Sequence, residues 1–169
     1  MILVMTLAAV TLTSCSSDDD NDDGGGGGGN NGGEFLTAKI DGTDFAASQS
    51  PAVIVGAQST NGILSVQGGD NSGNTISLAI QGYTGVGTYV TGDDISNTNL
   101  IQYLQISPAP TTWLSSGVTS LVGGLNPGTI EVTSDDGTTV EGTFSFDGYN
   151  GSDMTTKVIT QGSFKAVFD

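Results

Sequence analysis

Carboxylates are the side chains of this sequence that could do chemistry, because it has 18 Asp and Glu residues, three Lys, no Arg and no His. Mechanisms that need a histidine base, and zinc sites that need histidine ligands, are therefore excluded. Two suitably spaced carboxylates can still hydrolyse a glycosidic bond. Glu131 and Glu141 are the obvious pair, but neighbours on adjacent strands usually lie on an open face without a cleft. We predict no enzymatic activity, with a carboxylate glycosidase as the less favoured alternative.

Loops rich in oxygen ligands offer a second chemistry. In "DGYNGSD", Asp147, Asn150 and Asp153 follow one another at three-residue steps, and calcium prefers such carboxylate and amide oxygens. Asp, Asn and Gly are also the residues that tight β-turns recruit. The sequence therefore leaves a calcium site and plain turns as alternatives, and it indicates no other cofactor.

Aromatic side chains offer a third chemistry, which is stacking on sugar rings. Trp113 follows two prolines in "SPAPTTWLSSG", so we expect it on a loop or an edge strand, and Tyr149 is its candidate partner in ligand binding. The alternative is that these rings complete the core with their polar tips in water. A coplanar exposed pair would favour sugar binding, and buried rings would favour the structural interpretation.

Antiparallel strands must position these residues. From Glu34 onward the chain shows short apolar alternations separated by turn signals, which predicts an all-β domain: an antiparallel sandwich or barrel of about eight to ten strands. The inward residues of two of the strands are predicted to be Ile76, Leu78 and Ile80, and Phe164, Ala166 and Phe168. We expect the last strand to lie within the sheet.

Two hairpins have two-residue turns in the predicted fold. Asp41-Gly42 suits a type I′ turn, which sets Ile40 opposite Thr43, Lys39 opposite Asp44 and Ala38 opposite Phe45. A second turn at Asn61-Gly62 places four apolar residues on one face: Val55, Ala57, Leu64 and Val66.

The hairpin "TIEVTSDDGTTVEGTFSF" favours a three-residue loop, Asp135-Asp136-Gly137, with the glycine in the left-handed region. This register pairs Val132 with Val140 and Thr133 with Thr139. It also sets Glu131 opposite Glu141, and like charges facing each other are unfavourable.

Residues 1–14, "MILVMTLAAVTLTS", carry no charge and are too short to span a bilayer, so they are typical of a secretory signal. No Lys or Arg precedes Cys15, which predicts that the basic start of the signal was trimmed or that Met1 is an internal start. Leu12 to Cys15 resemble a bacterial lipobox. The resemblance implies cleavage before Cys15, a diacylglyceryl thioether on its sulfur and an acylated amino terminus, and several acyl chains give stable membrane attachment.

Residues 15–33 are predicted to be a flexible tether between this anchor and a domain at 34–169. The run "SSDDDNDD" resembles the export signal of Bacteroidota lipoproteins on the outer face of the outer membrane. The alternative is a periplasm-facing anchor in which the aspartates only keep the tether hydrated.

The whole domain also resembles a known family. The stretches "FLTAKIDGTDFAA", "GVGTYVTG", "GTIEVTSDDGTTVEGTFSFDGYN" and "KVITQGSFKAVF" look like those of uncharacterised Bacteroidota lipoproteins described as a domain of unknown function. The resemblance covers about Phe35 to Phe168, implies an all-β secreted lipoprotein and brings no catalytic residues.

A net charge of −15 disfavours nucleic acid as a partner, because the chain repels phosphates. Together these features predict a membrane-anchored, surface-exposed binding module for a glycan or another cell-envelope component. The alternative is a structural or adhesive envelope protein without a discrete pocket.

Overall fold

The computed structural model describes residues 33–48 and 55–169 of the chain. The predicted signal segment, the lipidated Cys15 and the tether as far as residue 32 lie outside the described residues. Within the described part of the chain, no helix has the length and apolar character that a membrane span requires.

The described residues confirm the predicted all-β fold. The strands are β1 (Phe35–Ile40), β2 (Thr43–Ala46), β3 (Gly56–Thr60), β4 (Ile63–Gly69), β5 (Thr75–Gln81), β6 (Gly87–Thr91), β7 (Leu100–Gln105), β8 (Thr111–Ser115), β9 (Gly128–Asp135), β10 (Thr139–Asn150) and β11 (Thr155–Val167). A 3-10 helix covers Gly117–Leu121. The described strands outnumber the prediction because β6 and β8 were not predicted. Unlike the equally short β2 and β3, they are not joined to a neighbour by a two-residue turn that would mark them in the sequence.

The strands form one antiparallel sheet in the order β2-β1-β11-β10-β8-β7-β5-β4-β3, while β9 pairs with β10, and β6 pairs with β9. The sheet curls into a half-barrel. Ala57 of β3 forms a bridge with Phe168, just beyond β11, and the Asp169 N–H donates to the Ala57 carbonyl at 3.0 Å. Strand β11 lies between β1 and β10, so the prediction that the last strand is internal is confirmed.

Both predicted two-residue hairpins are confirmed. The first pairs Ile40 with Thr43, Lys39 with Asp44 and Ala38 with Phe45. Asp41 and Gly42 have φ values of 50° and 83°, as a type I′ turn requires. In the second hairpin the four apolar residues are all at most 2% exposed: Val55, Ala57, Leu64 and Val66.

The core lies on the inner face of the curled sheet. Ile76, Leu78 and Ile80 are at most 3% exposed, and Phe164 and Ala166 are at most 1% exposed, as predicted. Phe168 is only partly buried and packs against this core.

The predicted register of the β9–β10 hairpin is wrong. Val140 pairs with Asp135, and Val132 pairs with Gly142 across a bulge. The loop has the predicted three residues but lies one position later, at 136–138, where Asp136 Oδ1 accepts hydrogen bonds from the Thr138 and Thr139 amides at 2.8 and 2.7 Å. The bulge restores the alternation, so that Val132 and Val140 are both buried. Gly137 does adopt the left-handed conformation, with φ of 80°.

This register separates the two glutamates that the sequence sets opposite each other. Glu131 pairs with Thr143. Glu141 pairs across β11 with Lys165, and their side chains form an ion pair of 2.8 Å. The predicted direct opposition of Glu131 and Glu141 is therefore wrong.

A second bulge lies in β11 at Gln161. The pairing of β11 with β1 shifts register between Thr160 and Ser163 of β11. The pairing of β11 with β10 shifts register between Ile159 and Gly162. Gln161 has φ of 52°, a left-handed conformation that costs an L-residue about 1–2 kcal/mol. The next residue must be glycine, since a Cβ at Gly162 would lie 2.5 Å from the Phe144 carbonyl oxygen.

Candidate functional site

A row of residues across the inner face of the half-barrel builds the candidate site. Tyr103 of β7 pairs with Trp113 of β8, and Gly148 of β10 pairs with Lys157 of β11. A Cβ at Gly148 would lie only 2.8 Å from the Trp113 Cβ. The glycine therefore lets the indole ring lie close to β10, where the Lys157 side chain can reach it.

Aromatic rings form the wall behind the site. The rings of Tyr103 and Trp113 are stacked, with centroids 5.9 Å apart. Phe45 of β2 meets Tyr103 edge to face at 6.2 Å, an arrangement that aromatic quadrupoles favour. The Trp113 Nε1–H donates to Thr155 Oγ1 at 2.9 Å, which fixes the indole in its plane.

A cavity of about 340 Å³ lies in front of this wall, and we call it the Tyr103 pocket. Its lining includes Asp41, Phe45, Asp70, Asn74, Tyr103 and Lys157. Asp41 comes from the β1–β2 turn, and Asp70 and Asn74 come from the β4–β5 loop. Residues far apart in sequence converge here because the sheet curls. The chain after β2 is held against the end of β4 by a hydrogen bond from Ser48 N to Gly69 O at 2.8 Å.

Lys157 and Asp41 close one side of the Tyr103 pocket. Lys157 Nζ lies 3.0 Å from Asp41 Oδ2 and 4.9 Å from the centroid of the Trp113 ring. Asp41 Oδ1 accepts a hydrogen bond from the Val158 amide at 2.9 Å. Burial raises the pKa of Asp41, but the Val158 amide and the Lys157 ammonium outweigh it, so the pKa lies below its ordinary value.

Asp70 organises the part of the lining that the β4–β5 loop contributes. Its Oδ1 accepts from the amides of Ser72 and Asn74 at 2.8 and 2.9 Å, and its Oδ2 accepts from Asn74 Nδ2 at 2.8 Å. Asn74 Oδ1 in turn accepts from the Ile106 amide at 3.2 Å. These bonds fix the β4–β5 loop, so a carboxylate and an amide stand at defined positions beside the pocket.

The hydroxyl of Tyr103 belongs to the same electrostatic environment. Tyr103 is 5% exposed. Burial raises its pKa, and the charges of Asp70 and Asp41 raise it further. The hydroxyl therefore stays protonated at physiological pH, and it can donate or accept a hydrogen bond.

The structure does not bring the three predicted calcium ligands together. Asp147 and Asn150 lie in β10, where they face opposite sides of the sheet. Asp147 Oδ2 accepts two hydrogen bonds from Asn126, at 2.9 and 2.8 Å, and Asp153 Oδ1 accepts two from Thr155. In residues 33–48 and 55–169, no three Asp, Glu, His or Cys side chains cluster closely enough to hold a metal ion.

Trp113 and Tyr149, the predicted ligand-binding aromatics, also lie on opposite faces. The prediction that Trp113 lies on a loop or an edge is wrong, because β8 is an internal strand and Trp113 is only 7% exposed. Tyr149 pairs with Leu114, so it belongs to the outer face. Trp113 is the rear part of the aromatic wall, with Tyr103 stacked on one side and Lys157 over its ring. Its burial favours the structural interpretation of this ring over stacking on a sugar.

Sequence reasoning missed Tyr103, Asp70 and Lys157 as site residues. One signal was present for Lys157, because it stands two residues before the inward-facing Ile159, in phase with a buried face. A lysine at such a position is unusual unless its charge has a partner. That partner, Asp41, lies 116 residues away, so the pair was not visible in the local pattern.

Comparison with known proteins gives one match. A family model described as "Domain of unknown function (DUF6252)" matches residues 33–168. No curated protein and no solved structure matches the chain.

Proposed function

The chain belongs to the DUF6252 family of domains of unknown function, and we propose that it is a lipid-anchored binding module whose Tyr103 pocket takes a glycan component of the cell envelope. The observation that carries this proposal is the pocket itself. It joins aromatic edges to carboxylate, amide, hydroxyl and ammonium groups around a cavity of about 340 Å³. Small-molecule sites typically combine an apolar, aromatic lining with a few fixed polar groups in this way.

The two outermost rings of the wall are the ones that can contact a ligand. Phe45 and Tyr103 line the pocket, whereas Trp113 lies behind Tyr103 and has Lys157 over its ring. Both rings are only 5% exposed and they are not coplanar, so they do not form the exposed stacking pair that the sequence analysis set as its criterion for sugar binding. We therefore assign contacts with the edge of a sugar to Phe45 and Tyr103, and hydrogen bonds to the fixed polar groups of Asp70 and Asn74.

Membrane attachment is the second part of the proposal. It is supported by the lipobox resemblance at Cys15 and by the tether that follows it. At the domain end of the tether, Glu34 Oε1 accepts a hydrogen bond from the Val167 amide at 2.9 Å. The first strand begins at the next residue, Phe35, so the domain holds its end of the tether firmly. Display on the cell surface is the proposed location, with a periplasm-facing anchor as the alternative.

A glycan array tests the binding function. The full chain, purified in detergent, is applied to the array, and each hit is titrated by Trp fluorescence, because the chain has a single Trp that stacks on Tyr103. Thr43 is exposed and lines the pocket, so Thr43→Phe should fill the cavity and abolish binding. Thr88→Phe, at an exposed threonine of β6, is the matched control and should bind normally. An array without hits, or unchanged binding by Thr43→Phe, would overturn the proposal.

A further inference from the structure

The charge around the Tyr103 pocket is unbalanced. Three carboxylates line it, those of Asp41, Asp44 and Asp70, against the single ammonium of Lys157. All three lysines of the chain are already in ion pairs, with Asp44, Asp41 and Glu141 as their partners, and the chain has no Arg or His. Within the described residues, Asp70 therefore has no cationic partner.

Tyr103 supplies a polar atom on the same wall. The residue is 5% exposed, and its hydroxyl makes no hydrogen bond to any of residues 33–48 and 55–169. No fully buried side-chain nitrogen or oxygen of the described residues lacks a partner, so this hydroxyl keeps contact with solvent. Because Tyr103 lines the pocket, a ligand in the pocket can bond to the hydroxyl in place of that solvent.

The protein already holds one ammonium group against this wall. Lys157 Nζ is placed by the Trp113 ring at 4.9 Å and by the Asp41 carboxylate at 3.0 Å. Aromatic rings and carboxylates together stabilise an ammonium well. Elsewhere in the lining of the pocket, Asp70 offers a second carboxylate and Tyr103 offers a hydroxyl oxygen, and no cation of the described chain pairs with Asp70.

We propose that the Tyr103 pocket selects amino sugars with a free ammonium group, which would pair with Asp70 and donate a hydrogen bond to the Tyr103 hydroxyl. This inference rests on the proposed glycan-binding function and names the ligand class of the same site. Anionic sugars are disfavoured by the carboxylates. N-acetylated sugars lack the charge that Asp70 requires.

The test compares three oligosaccharides of equal length by calorimetry with the full chain in detergent: a glucosamine tetramer, its N-acetylated counterpart and a glucose tetramer. We expect the glucosamine tetramer to bind at least about tenfold more tightly than the other two. Tyr103→Phe keeps the ring and removes only the hydroxyl, and Asp70→Asn keeps the acceptor oxygen for the loop amides. Each should weaken glucosamine binding by about tenfold and leave binding of the acetylated tetramer unchanged.

Asp136→Asn is the matched control, because it removes one carboxylate from the β9–β10 loop, which does not line the pocket. It should leave all affinities unchanged. Equal or tighter binding of the acetylated or glucose tetramer would overturn the amino-sugar inference and leave the proposed glycan function standing. If Asp136→Asn and Asp70→Asn lose the same affinity for the glucosamine tetramer, the preference for amino sugars reflects only the net charge of the protein. That result would also overturn the amino-sugar inference. Absence of binding by all three sugars, with no hits on the array, would overturn both.

Discussion

Lys157 lies over the indole of Trp113, with its Nζ 4.9 Å from the ring centroid. The two residues come from strands that β10 separates, and they meet because Gly148 has no side chain between them. The ammonium also bonds to Asp41, which anchors the β1–β2 turn to β11. A single lysine therefore connects the aromatic wall to the hairpin that closes the pocket.

Replacement of this lysine should destabilise the domain more than replacement of an exposed one. Lys157→Met keeps an unbranched side chain and removes the charge, so we expect a loss of about 1 kcal/mol from the ion pair and the cation–π contact. Lys39→Met is the control, because the Lys39–Asp44 pair is more exposed and such pairs contribute a few tenths of a kcal/mol. Urea unfolding followed by circular dichroism measures both, and equal losses would contradict the prediction.

The same ion pair predicts a pH dependence. The pKa of Asp41 lies below its ordinary value of 3.8 in the folded chain, so folding favours the ionised carboxylate. Its stabilising contribution is complete above the ordinary pKa and is lost as the pH falls through the lower folded pKa. Asp41→Asn keeps the acceptor for Val158. The wild type should therefore unfold at higher urea than Asp41→Asn at about pH 6, and the difference should shrink steadily as the pH is lowered below 3.8. A difference that stays unchanged as the pH is lowered would contradict the prediction.

The elements that were predictable from sequence are those that short stretches specify. Asp41-Gly42 fixes its own turn type, and the turn type fixes the pairing of Lys39 with Asp44. The burial of Ile76, Leu78 and Ile80 follows from simple alternation. By contrast, the register of β9 on β10 depends on β11. A Cβ at Gly142 would lie 2.7 Å from the Phe164 ring, so this distant ring covers the position that pairs with Val132.

The candidate site was less predictable because it, too, depends on residues that are distant in sequence. Tyr103, Asp70 and Lys157 lie on three separate elements, and only the curling of the sheet brings them to one cavity. Trp113 was recognised as a candidate because of its type, but its strand is internal and its ring is buried. Residue type identified Trp113, whereas the rest of the aromatic wall and the polar groups in front of it required the tertiary structure.

The bulge at Gln161 predicts that a shorter side chain stabilises the fold. Gln161 has a left-handed φ of 52°, and glycine adopts this conformation without the steric cost. Gln161→Gly should therefore raise stability by about 0.5–1 kcal/mol, while Gln161→Val should lower it, because a branched Cβ suits this φ least. Thermal unfolding of the two variants measures the difference. A lower midpoint for Gln161→Gly than for wild type would contradict the prediction. It would mean that the Gln161 side chain stabilises the bulge by more than its left-handed backbone costs.

Calcium should not stabilise the described domain. Asp147 and Asn150 face opposite sides of β10, and the carboxylates of Asp147 and Asp153 already accept hydrogen bonds from Asn126 and Thr155. A ligand at 100 times its Kd would add about 2.7 kcal/mol to stability, which corresponds to several degrees in Tm. We expect the same Tm in excess EDTA and in millimolar calcium. A rise of several degrees would instead identify a metal site, and its loss in Asp153→Asn would place it in the turn after β10.

Cys15 should decide whether the protein is attached to the membrane. In a bacterial host that processes lipoproteins, the wild type should partition into the detergent phase and incorporate labelled fatty acid. Its amino terminus should be the acylated Cys15, because the lipobox resemblance implies cleavage before this residue. A thioether-linked diacylglyceryl group and an acylated amine together give stable anchoring, which explains the partition into detergent. Cys15→Ala removes the only thiol of the chain and should abolish both labelling and cleavage. Ser16→Ala, next to it, should change neither. Mass spectrometry of the mature amino terminus distinguishes the outcomes, and fatty-acid labelling that survives in Cys15→Ala would contradict the lipobox assignment.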